Sequence, residues 1–381
     1  MPALRYDASL LARLRASGPT QIDPSMSPAE IARAICRQWL TAFLQSLAAT
    51  HRGDDVEALH NMRVSARRLE AAIRLFREYL PAWAVESRST LRTQMRALGN
   101  ARDWDVQIEF CRGAMAQLGN AERADLEPLE ASLAAGRARA QMRLRKTLQA
   151  PPSRQWLTHW VDYLSESPAP SSDVSPRAVG FAPAGRFALA AIRQQYRRVR
   201  RAADRLTAES SAEDYHDVRS RVKRLRYVLE AFAPLSGESG ANFLRRLVRV
   251  QDVLGEYQDA EVRARRLAAL ARRRHDPLPG ATLLLMGRIV ERDSRIGHKA
   301  RRRFPRVYGG IRGRPWKRLR GSLVACTANG DVDLARSSLS SRLVRRAHRT
   351  RRHLSTESVD NPVGGEPRRR KFTPHAARFT H

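Results

Sequence analysis

Between Ala58 and Phe76 the chain reads "ALHNMRVSARRLEAAIRLF", which sets His60, Arg63, Arg67, Arg68 and Arg74 against a single acid, Glu70. Guanidinium groups hold phosphate oxygens through planar, paired hydrogen bonds. An imidazole adds a donor whose charge changes between about pH 5 and 8. The chemistry on offer is recognition of an anion. On a helix advancing about 100° per residue, Arg63, Arg67 and Arg74 fall within about 60° of His60. Leu59, Met62, Ala66, Leu69, Ile73 and Phe76 form a separate apolar arc that belongs in a core.

The pattern returns in "DYHDVRSRVKRLRYVLEAF", Asp214 to Phe232. An offset of 156 residues places His60 on His216, Arg63 on Arg219, Arg67 on Lys223, Arg68 on Arg224 and Phe76 on Phe232. The same offset carries Arg37 onto Arg193, Leu98-Gly99 onto Leu254-Gly255 and Asp103 onto Asp259, without a gap. Such an unbroken register marks an internal duplication and predicts two halves related by an approximate two-fold. His216, Arg219, Lys223 and Arg226 again share one side, and Val218, Val222, Leu225, Leu229 and Phe232 fill the apolar arc. One such stripe reads equally well as a solvated helix face. Two in register favour a ligand-facing role, and brought together they would line one basic groove or pore. Like charges there repel, and a long polyanion would relieve the repulsion while releasing its own counterions. His60 and His216 either touch that ligand or hydrogen-bond within the bundle.

The elements that must position these stripes are helices. "PAEIARAICRQWLTAFLQSL" has helical spacing with Pro28 in its opening turn. The His60 segment follows, then "STLRTQMRALGNARDWDVQIEFCRGAM" and "LEPLEASLAAGRARAQMRLRKTLQ", and the second half repeats the order. No run alternates β-branched residues, so the expected class is all-α: two pseudo-symmetric helical bundles around a basic central groove or pore. Residues 1–24 read as a flexible N-terminus, 25–165 as repeat one, 166–185 as a Pro- and Ser-rich linker, 186–320 as repeat two, and 321–381 as an Arg-rich, largely disordered tail. Asp103 and Asp105 in "LGNARDWDV", with Asp259 and Glu261 in "LGEYQDAEV", are expected to orient the arginines through salt bridges; a metal role lacks further ligands at fixed spacing.

Composition points the same way. Net charge is +32 over 381 residues, which implies a polyanionic partner: nucleic acid, an anionic membrane surface or a phosphate polymer. The tail from Gly321 holds twelve Lys or Arg against five Asp or Glu, so most of the excess lies in the helical part. Three widely spaced cysteines (Cys36, Cys111, Cys326) make neither a zinc site nor a disulfide framework and fit a reducing cytoplasm. No apolar run is long enough to span a membrane, and the first twenty residues lack a signal-type apolar core. Aromatic residues, 6% of the chain, do not interleave with the basic stripe, which argues against base stacking. There is no Walker A loop and no other Gly-rich phosphate loop.

These residues resemble the CHAD family, the conserved histidine α-helical domain. "HNMRVSARRLEAAIRLF" and "HDVRSRVKRLRYVLEAF" stand for its repeated His-x-x-Arg-x-x-x-basic-basic-Leu pattern, and "LGNARDWDV" and "VQDVLGEYQD" also match. The likeness covers roughly Pro24 to Arg320. It implies two helical bundles about a basic pore that binds inorganic polyphosphate without catalysis or cofactor, in the cytoplasm at polyphosphate granules. The contacts it implies are His60, Arg63, Arg67, Arg68, Arg74, His216, Arg219, Lys223, Arg224 and Arg226, with Arg37 and Arg193 from the preceding helices. Glu230 stands where the first copy has Arg74, and Glu70 where the second has Arg226, so the pore would be asymmetric. Some relatives carry a triphosphate-tunnel domain with a Glu-x-Glu-x-Lys motif; that motif is absent from this sequence, and hydrolysis is not expected. The alternative reading is a basic protein that binds nucleic acid nonspecifically, through the arginine tail above all.

Overall fold

The structure, a computed structural model, describes residues 2–17, 22, 26–116, 118–166, 184–207, 209–272 and 277–328. Those residues form helices and no strand, as the sequence pattern requires. In chain order they are α1 (Pro2–Ala16), α2 (Pro28–Arg52), α3 (Val56–Leu75), α4 (Ala82–Glu86), α5 (Arg88–Met115) and α6 (Asn120–Gln149). Then come α7 (Pro151–Ser165), α8 (Ala184–Ala203), α9 (Ala212–Ala231), α10 (Ala233–Ala271), α11 (Gly280–Gly309) and α12 (Arg314–Ala328).

The helix starts are written locally. Ser27 and Glu30 form a reciprocal capping box at α2, with the Ser27 N–H donating to the Glu30 carboxylate at 2.7 Å. Ser211 and Asp214 do the same at α9, and the Asp55 carboxylate accepts the Ala58 N–H at 2.8 Å to cap α3. Gly53 ends α2 at φ 85°, a left-handed turn, and a Cβ there would also meet Gln141 at 2.6 Å. α3 and α9 each run 20 residues and begin 156 residues apart, the offset of the sequence repeat.

One large core takes buried residues from all twelve described helices. Where α3 meets α9, Phe76 and Phe232 touch edge to face at 6.0 Å, with Phe187 of α8 beside both. These matched phenylalanines pack where the two stripe-bearing helices meet. A smaller core, built on Ile108, Leu129, Leu133, Leu270 and Met286, ties α5 and α6 to α10 and α11.

Two expectations change. The stretch 1–24 contains α1, which docks on α2 and α7: Leu10 and Leu14, one turn apart, are buried, and Arg13 reaches Asp162 at 2.7 Å. The tail drawn from 321 begins instead inside α12, whose Leu319 and Leu323 are buried against the main core; 329–381 lie outside the described residues. The linker 166–185 falls almost wholly outside them too, and α8 begins at Ala184. Leu14→Ala should lower unfolding free energy by about 2–5 kcal/mol. Leu284→Ala, at a side chain 71% exposed, should change it by less than about 0.5 kcal/mol. Equal effects in chemical denaturation would show that α1 is not docked.

Candidate functional site

The apolar arcs put the charged stripes where they are. Leu59, Met62, Ala66, Leu69 and Ile73 of α3 are buried, as are Val218, Val222, Leu225 and Leu229 of α9. With those faces committed to the core and Phe76 against Phe232, Arg63 and Arg67 of α3 come within electrostatic reach of Arg219 and Lys223 of α9. Asp103 of α5 and Asp259 of α10 are the carboxylates that act on them, and Arg219 lies 4.0 Å from Asp259. All four basic side chains are half-buried, Arg219 being 18% exposed.

Four cations against two carboxylates, partly withdrawn from water, carry an electrostatic penalty that appears in their titration. Burial, then the charges of Arg219, Arg67 and Arg63, hold the Lys223 ammonium well below its ordinary range, and Asp259 only partly offsets them. Burial and the neighbouring Arg67 bring Arg63 down to about 10, against the pull of Asp103. Arg219 is lowered too, chiefly by burial. Burial raises the Asp103 carboxyl, against Arg266, Arg63 and Arg67.

A second group lies at the other end of α3. Arg74 is lowered by burial and, against the pull of Glu70, by Arg224, Arg88 and Arg198. Burial would raise Glu70, but its hydrogen bond from Arg88, at 2.6 Å, and the charges of Arg74, Arg88 and Arg92 hold it below its usual value.

The structure assigns other work to several expected contact residues. Arg68 and Arg226 are buried around Glu230, at 3.0 and 2.8 Å, and Arg226 also donates to Gln251 at 3.3 Å. Arg68 further lies over the Trp39 ring at 4.5 Å. This triad fastens α3 to α9, and Glu230, which the repeat alone marks as a departure, is its centre. Arg37 is buried and donates to the Leu164 carbonyl at 2.7 Å, one of the last acceptors of α7 that lack a helical donor. His60 is buried at 3% exposure, whereas His216 is exposed with Nδ1 3.0 Å from the Gln258 side-chain oxygen. The matched histidines therefore sit in different surroundings. Arg193 is half-buried on α8. Asp105 pairs with Arg137 of α6 at 2.6 Å, away from the stripe arginines.

The repeat does not reveal Arg266, Tyr227, Arg88 or Arg198. Arg266 lies over the Trp104 ring at 4.4 Å and donates to the Asp103 carbonyl at 2.9 Å. Tyr227 acts on Arg63 and Arg219. Their positions in the other half hold Phe110 and Ala71, so no repeated signal marks them. No group of three or more His, Cys, Asp or Glu able to hold a metal ion occurs among the described residues, and none of their helices is long and apolar enough to cross a membrane.

The CHAD domain profile matches residues 34–268. Two uncharacterised proteins of Mycobacterium tuberculosis, from strains CDC 1551 and H37Rv, are each 30% identical over 280 residues, covering 67% of this chain and 48% of theirs. The chain thus spans about half the length of the curated relatives it matches. The solved CHAD domain of the plant Ricinus communis aligns with a TM-score of 0.55 at 22% identity, over 81% of this chain and 97% of that one. PptA from Streptomyces chartreusis aligns with a TM-score of 0.57 at 20% identity, over 74% and 99%. At those identities the likeness concerns the fold.

Because the folded state depresses Lys223, the unfolded chain binds more protons between the folded value and the ordinary 10.5, and unfolding free energy rises with pH across that window. Lys223→Met should remove that rise and stabilise the unliganded protein at pH 7 by about 1 kcal/mol or more. Denaturation of both proteins from pH 7 to 10 checks this; a destabilised variant with an unchanged pH slope would refute it.

Proposed function

The chain belongs to the CHAD domain family, and on that premise we propose that it binds inorganic polyphosphate without catalysis, in a basic groove between its two duplicated halves. The family is associated with polyphosphate. The observation that carries the reading is the convergence of Arg63 and Arg67 with Arg219 and Lys223, where cations outnumber carboxylates and are half-buried. Support for a two-fold between the halves comes from matched residues that face each other: Phe76 meets Phe232, and Asp103 acts on Asp259.

A linear polyanion in the groove supplies one negative charge for roughly each phosphate and restores a favourable surrounding to cations the fold has desolvated. The groove then binds without prior rearrangement of its cations, and release of counterions from the polymer makes affinity fall with salt. Arg74 and Arg224, with Arg88 and Arg198, extend the path along α3. Asp103 and Asp259 keep the unliganded groove from carrying the full repulsion. Arg68, Arg226, Arg37 and His60 act in this account as scaffold; His216 and Arg193, outside the buried set, remain at the groove's margin. Site chemistry of this kind needs no cofactor and no metal, and the account places the protein in the cytoplasm with polyphosphate granules.

Nonspecific nucleic-acid binding is the reading to be separated from this one, since net charge alone supports it. Binding of long-chain polyphosphate at near-physiological salt should weaken by about tenfold or more in Arg63→Ala/Arg219→Ala, with a shallower salt dependence. Duplex DNA at equal phosphate should compete poorly. Unchanged affinity in the double variant, or DNA competing on equal terms, would transfer the function to a diffuse basic surface.

A further inference from the structure

A cavity of about 990 Å³ opens where the turn after α8 meets α9 and the later half of α11. None of its lining residues belongs to the cationic cluster of α3 and α9. Leu206, Tyr215, Phe304 and Tyr308 give it an apolar, mostly aromatic wall, while His298, Arg301 and Arg302 bring nitrogen donors from one face of α11. Asp204 is the carboxylate in the lining, and it is already engaged: the Tyr308 hydroxyl donates to it at 2.6 Å and Arg312 lies 3.5 Å away. Arg301 and Arg302 have no carboxylate at ion-pair distance among the described residues; Glu209 acts on Arg301 only at longer range. Arg301 lies over Tyr215 at 4.8 Å and Tyr257 at 5.3 Å, donates to the Ser210 carbonyl, and keeps its buried Nε–H without an acceptor among those residues.

The repeat register explains why the cavity exists. α2 runs 25 residues and α8 only 20, so α8 stops at Ala203 while the matching part of α2 continues helical to Arg52. In the first half α6 seals that helix end: Gln141 donates to the Thr50 carbonyl at 2.7 Å and Arg145 to the His51 carbonyl at 2.7 Å. The counterpart of Gln141 is Gly297, and that of Arg145 is Arg301. The second half therefore exchanges a sealed helix end for an open space, walled in part by rings and edged by Arg301 and Arg302, which have no carboxylate at ion-pair distance among the described residues.

We propose that this cavity binds an organic anion joining a flat ring to a phosphate, the class to which nucleoside phosphates belong. The ring lies against the Leu206–Tyr215–Phe304–Tyr308 wall, and the phosphate meets His298, Arg301 and Arg302. A bare phosphate chain would make no contact with Leu206 or with the 3–5% of surface that Tyr215, Phe304 and Tyr308 still expose. The site stands apart from the groove, whatever the groove binds.

The test is calorimetric titration of the full chain with ADP at near-physiological salt, with inorganic tripolyphosphate as the ring-free control. Working in the Arg63→Ala/Arg219→Ala background isolates the cavity. ADP should bind there and tripolyphosphate should not displace it. His298→Ala/Arg302→Ala, at two exposed side chains that bear no core packing, should weaken ADP by about tenfold or more. Leu206→Trp, which fills the cavity without changing charge, should do the same, with circular dichroism confirming the fold. The proposal is overturned if ADP fails to bind, if its affinity survives His298→Ala/Arg302→Ala, or if tripolyphosphate displaces it at equal concentration.

Discussion

Holding Arg63, Arg67, Arg219 and Lys223 within reach of one another, with much of their water removed, is the constraint to which the middle of the molecule answers. Two like charges about 5 Å apart at an effective dielectric near 20 repel by about 3 kcal/mol. A pair of 20-residue helices would separate under several such terms unless something else held them. Two devices do so. The apolar arcs commit one face of each helix to the core and bring Phe76 onto Phe232. Beside them, Glu230 binds Arg68 from α3 and Arg226 from its own helix, an ion triad to which Asp252 adds a longer-range pull on Arg226.

The proposed function draws on what is left uncompensated. Asp103 and Asp259 offset part of the cluster's charge, two carboxylates against four cations. Lys223 and Arg63 are depressed first by burial and then by their cationic neighbours. On the proposed function, free energy withheld from the unliganded protein in this way is returned when a polyanion enters, so instability without ligand and affinity for it have the same origin. The same trade between stability and function is common where a site needs charges that a core would exclude.

Much of this was legible in the sequence because the duplication acts as its own control. Arg63, Arg67, Arg219 and Lys223 share a helix face in both copies, and the structure brings them together. What the repeat could not convey is tertiary. Arg37 looks like a stripe residue until α7 ends against it and presents the Leu164 carbonyl. Arg68 and Arg226 become scaffold because Glu230, a position that breaks the repeat, lies between them. His60 and His216 match in sequence yet differ in burial, which their neighbours on other helices decide. Arg266 and Tyr227 have unlike counterparts and leave no repeated trace. α1 leaves little trace in the sequence because its docking rests on two leucines one turn apart, a short pattern.

The central claim, that the groove holds desolvated cations whose charge a polyanion restores, is tested most directly by following one of them. The chain has five lysines among its 70 basic residues, so the side-chain ¹³C resonance of Lys223 can be assigned by comparison with Lys223→Arg. Titrated alone, Lys223 should deprotonate well below the ordinary 10.5. Titrated with saturating long-chain polyphosphate, its midpoint should move upward. A midpoint that begins at the ordinary value, or that does not move when polyphosphate is bound, would contradict the account.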